Sequence, residues 1–131
     1  MRTVRLGAAS VVMLMAGQVG ADSGGSSIGG PSITGDWGRI DGALHINMAP
    51  CGERLCAVST WTRDADSDER IGDRLILSLS QREGSTLAGQ AFDERRRLTY
   101  SLRVSVDRDA MTTRGCLLAG LACRTMTWTR L

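Results

Sequence analysis

Lysine is absent: all 16 basic side chains among the 131 residues are arginines, which supply planar, stackable cations and no ammonium groups. Histidine occurs once, at His45, without a paired cysteine or carboxylate motif that would suit it to general-base work. No phosphate-cradling glycine loop, hydrolase nucleophile elbow or metal-protease motif is present, so an enzyme is not expected. Long apolar runs are also missing. The one candidate, residues 6–16, falls short of the ~20 residues a membrane-spanning helix requires.

What that short run does fit is export. Arg2 and Arg5 precede it, and Val19-Gly20-Ala21 supplies the small-x-small pattern of a cleavage site, so residues 1–21 read as a signal peptide and the protein as periplasmic or secreted. No cysteine lies near the cleavage point, which argues against a lipid anchor. Loss of Arg2 and Arg5 leaves 14 basic residues against 14 acidic ones, a formally neutral mature chain in which a nucleic-acid partner has little electrostatic support. Residues 22–34 are rich in glycine and serine and hold too little apolar surface to offset the entropy of ordering them; a flexible linker is expected there. Residues 35–131 then suffice for one domain with a modest core.

Cys51, Cys56, Cys116 and Cys123 all lie in that domain, and an even count in an exported chain points to two disulfides. Three connectivities are open, with the spacing favouring the two local pairs. A short local loop contributes about 2 kcal/mol on the chain-entropy view, a bridge from Cys56 to Cys116 about 4. The spacings suit a zinc site poorly. Asp64, Asp66 and Asp68 alternate like calcium ligands, but Glu69 stands where the turn glycine is needed and Leu75 where the bidentate acid is needed. A solvated acidic loop is the expectation, with no metal and no cofactor.

Short runs of alternating polarity separated by turn residues fill the rest, the pattern of an all-β domain. Strands are expected over residues 36–40, 43–48, 55–62, 75–80, 86–92, 98–106, 111–116 and 124–131, the first two joined across Asp41-Gly42 as a tight hairpin. The clearest alternates Leu98, Tyr100, Leu102, Val104 and Val106 with Thr99, Ser101, Arg103 and Ser105, one face buried and the other wet. Arg95-Arg96-Arg97 reads as an exposed hairpin turn. About eight antiparallel strands on short connections suit a closed barrel that hides its edges, with a β-sandwich as the alternative.

Gly35-Asp36-Trp37, Pro50-Cys51-Gly52 with Leu55-Cys56, Arg114-Gly115-Cys116, and Cys123-Arg124 with Thr127-Trp128-Thr129-Arg130 follow one another in an order and spacing that resemble the bacterial domain-of-unknown-function family 2147. The resemblance spans residues 33–131. In the middle, Leu87-Ala88-Gly89, Phe92-Asp93-Glu94 and Leu98-Thr99-Tyr100 stand where that family usually carries Trp-x-Gly-Gly, Tyr-Asp-Pro and Gly-Lys-Thr-Tyr. The resemblance implies export and a lipocalin-like, up-and-down barrel, and supplies no activity. It also pairs Trp37 with Arg130, similar to the Trp and Arg that close one end of lipocalin-type barrels.

A barrel this small is expected to be largely filled by side chains. Two functions fit these readings. The first is a non-catalytic binding or envelope accessory protein that holds a small apolar ligand, with Trp61, Tyr100 and Trp128 as candidate lining residues, or engages an envelope protein. The second is an inhibitor that inserts a disulfide-rigidified loop, at residues 51–56 or 116–123, into a periplasmic hydrolase.

Overall fold

The computed structural model describes residues 32–131. The signal peptide expected over residues 1–21 and the linker residues 22–31 lie outside that range. Eight strands follow in chain order: β1 (Gly35–Arg39), β2 (Leu44–Cys51), β3 (Arg54–Thr62), β4 (Arg74–Gln81), β5 (Thr86–Asp93), β6 (Leu98–Asp107), β7 (Ala110–Leu117) and β8 (Ala122–Arg130), with a single 3-10 turn, Leu118–Gly120, before β8. Each pairs antiparallel with the next, and β8 closes on β1, giving an up-and-down barrel without a free sheet edge. The β1–β2, β3–β4, β5–β6 and β7–β8 connections therefore share one end, here the upper. The other connections and both termini of the described chain share the lower.

Period-two alternation decides which side chains enter the barrel. Leu44, Ile46 and Met48 of β2, Leu55 and Ala57 of β3, Leu77 of β4, Leu87 and Ala91 of β5, Val104 and Val106 of β6, Met111 of β7 and Trp128 of β8 form one buried cluster with Trp37 and Ile33. Two local devices bend the sheet into a tube. Gly89 on β5 faces inward where β4 passes so close that any Cβ would collide with the carbonyl oxygen of Ser78, so only glycine allows this corner. On β3, the register slips between His45 and Ile46: His45 pairs with Trp61 and Ile46 with Ser59, leaving Thr60 as a bulge.

The lower end is sealed. Ile33 is almost fully buried, its carbonyl accepts a hydrogen bond from Trp37 Nε1 at 3.0 Å, and the Arg130 guanidinium lies 4.3 Å from the Trp37 ring centroid. Arg130 also donates to the carbonyls of Thr34 and Ser32, each at 2.9 Å. Residues 32–34 thus belong to the barrel rather than to the linker expected over residues 22–34. A single large aliphatic side chain, given a hole to fill, fixes a segment whose composition alone argued against order.

Candidate functional site

Below mid-height the interior is solid, packed with Ile33, Trp37, Leu55, Leu87, Val104, Val106 and Met111. Above it the inward positions carry Ala57, Ser59, Ala91, Thr113 and Gly115, side chains too small to meet across the tube. The result is a cavity of about 430 Å³, within the ~300–1,000 Å³ range of small-molecule pockets. This differs from the filled interior expected from strand count. Volume inside a barrel depends on which small residues fall at the same height, and that follows from strand stagger rather than from any one strand's pattern.

The walls are mainly apolar: Leu44, Ile46 and Met48, Leu75 and Leu77, Leu102, and Met126 with Trp128. Trp128 is buried and its indole N–H donates to Thr113 Oγ1 at 3.0 Å, which fixes the ring against the wall. Tyr100 is half-buried beside the cavity; burial, and next the nearby Asp93 charge, raise the pKa of its phenol and keep it protonated. Trp61 is not part of this lining. The Thr60 bulge puts it in register with outward-facing His45, and the two rings stack outside the barrel with centroids 4.7 Å apart. Uninterrupted alternation from Leu55 would have sent Trp61 inward; one extra residue in the strand reverses it.

A charged collar surrounds the upper mouth. The loop of residues 63–73 crosses it and is fastened by two arginines of the β5–β6 turn. Arg95 grips Asp73 with one guanidinium edge, Nε to Oδ1 at 2.7 Å and Nη2 to Oδ2 at 2.9 Å. Arg96 donates to Asp93 Oδ2 at 2.8 Å and to the carbonyl of Asp68 at 2.6 Å, an oxygen that Arg95 also reaches. Asp93 is buried, and its Oδ1 accepts from the backbone amides of Arg95 and Arg96. Its oxygens are committed to holding the turn. Burial alone would raise the Asp73 carboxyl, but the Arg95 guanidinium and the Arg70 amide outweigh it and bring the pKa below the ordinary carboxylate value. The arginine tract is the hairpin turn its composition suggested, with Arg95 and Arg97 exposed, and Arg95 and Arg96 also make it a clasp. Beyond Asp93, the aspartates that answer it, Asp73 and Asp68, lie 22 or more residues upstream, beyond the reach of local pattern.

Chemically, the arrangement can hold an apolar body below a polar mouth. His45 faces away from the cavity, so no imidazole stands beside Ser59 or Thr113. No group of three or more His, Cys, Asp or Glu side chains suited to a metal ion occurs among the described residues. Two disulfides are formed, Cys51–Cys56 at the lower β2–β3 turn and Cys116–Cys123 at the upper β7–β8 connection, and no described cysteine is free. No helix of the described chain is long and apolar enough to cross a membrane.

Comparison with known proteins adds three findings. No curated protein matches the chain. Among solved structures, a redesigned β-barrel is similar at 14% identity, with a TM-score of 0.48, covering 75% of this chain and 90% of its own. The family described as "uncharacterized protein conserved in bacteria (DUF2147)" matches residues 35–130, from the first strand to Arg130, which stacks on Trp37 at the lower end, and to this family the chain belongs.

Proposed function

We propose that this protein is an exported, non-catalytic binding protein that holds a small, predominantly apolar ligand in the upper half of its barrel. The observation that carries the reading is the cavity of about 430 Å³, walled by leucine, methionine and tryptophan side chains and bordered by a polar collar. Two disulfides are consistent with an oxidising compartment such as the periplasm.

Gly115 supplies a sharp test. Its backbone is not in the left-handed region, and an added Cβ would touch only Leu102 Cδ1, at 4.0 Å. Glycine is not needed there for folding, so Gly115→Leu fills the cavity and leaves the barrel standing. Native mass spectrometry of protein released gently from the periplasm is expected to show an added small-molecule mass on the wild type and none on Gly115→Leu. Wild-type protein that never carries added mass, from several growth conditions, overturns the reading.

One observation favours the inhibitor reading as the second. Leu121, 88% exposed, sits beside the Cys116–Cys123 bridge at the upper rim, a presentation suited to a protein partner's pocket. Envelope extract passed over immobilised protein distinguishes the two: a hydrolase retained by the wild type and released by Leu121→Ser supports the second.

A further inference from the structure

We infer that the cavity takes an amphipathic carboxylate, its anionic head received by Arg124 at the mouth and its apolar tail laid against Met126 and Trp128. The inference rests on the binding reading above and specifies its ligand class.

Arg124, Met126, Trp128 and Arg130 share the inward face of β8. At the lower end Arg130 is fully used by Trp37 and two carbonyls. At the upper end, Arg124 lines the mouth yet makes no ion pair or side-chain hydrogen bond with any described residue. Arg96, the other arginine of the cavity lining, is spoken for by Asp93 and Asp68, and Arg95 beside it by Asp73. Directly opposite Arg124 on β7 stands Gly115, which opens space beside the guanidinium where any other residue would project. Two residues along the same face, Thr113 accepts the Trp128 indole proton, so its own hydroxyl proton is free to donate. Tyr100 stays protonated and also lines the cavity. Arg124 is thus the charged donor of this wall, and a carboxylate is the group a guanidinium pairs with most strongly.

The opposite rim carries acids, and their state decides the sign. Asp73 and Asp93 are neutralised by Arg95 and Arg96, and the Asp68 carboxylate extends into solvent with 94% exposure. Glu69 lies near enough to Arg39 and Arg96 to contribute to the raised pKa of both. Of the two arginines that line the cavity, Arg124 is the one left without a partner among the described residues.

Three probes built on ten-carbon chains separate the possibilities: decanoate, decanol and decyltrimethylammonium, titrated against the full disulfide-bonded protein by calorimetry. Decanoate is expected to bind about tenfold more tightly than decanol, a preference lost in Arg124→Gln, which leaves decanol affinity unchanged. Glu69→Gln is expected to tighten decanoate. Equal affinity for decanoate and decanol overturns the head-group assignment while leaving the cavity reading intact, as does a preference for the ammonium probe, which moves the head to Glu69. Failure of all three to bind removes both.

Discussion

At the scale of single residues, two inward glycines stand in opposite surroundings. Gly89 is demanded by backbone crowding against Ser78, whereas a Cβ at Gly115 would meet nothing nearer than Leu102 Cδ1 at 4.0 Å. Gly89→Ala is accordingly expected to cost about 3 kcal/mol or more, read as a fall in the urea midpoint, because the clash is with main chain that cannot rotate aside. Retention of wild-type stability in that variant would contradict the corner assigned to it. The sequence alone does not separate the two, since each sits in an alternating strand. Residue-level reading succeeded where a side chain's role depends on its own strand, as with Leu44, Ile46 and Val104, or on the Trp37–Arg130 resemblance. It missed Trp61 because a single bulged residue outside the pattern inverted its face.

At the scale of elements, the eight strands were legible to within a few residues, because turn residues and alternation are both local. The clasp between the β5–β6 turn and the 63–73 loop was not legible, because it joins groups far apart in sequence through side-chain tips. Its pH dependence follows from Asp73. A carboxyl whose folded pKa lies below its unfolded value stabilises the fold fully above the ordinary carboxylate range and ceases to do so as pH falls through the lower, folded value. Amide exchange of residues 67–73 is therefore expected to keep its intrinsic-rate-corrected protection from pH 7 down to about pH 5, and to lose it below the usual carboxylate range near pH 4. In Asp73→Asn that protection is expected to be low and insensitive to pH throughout, and protection equal to wild type would show the loop is held by something else.

At the scale of the whole molecule, every strand pairing except one joins neighbours along the chain. Only β1 with β8 requires the ends to meet, and there Arg130 reaches across more than ninety residues to Thr34 and Ser32. Loop closure of that length is entropically costly before any contact rewards it, so the seam is expected to form after the sequential hairpins. Arg130→Ala should then lose about 2–3 kcal/mol, from one cation–π contact and two charge-assisted hydrogen bonds. Nearly all of it should emerge in stopped-flow measurements as unfolding faster by about 30- to 100-fold, with the refolding rate little changed. A slowed refolding limb would instead put the seam in the folding nucleus. On this account the lifetime of the native tube is set by one arginine at its last-formed joint. Long persistence of the folded protein against proteases is thus governed at the end of the barrel opposite the cavity mouth.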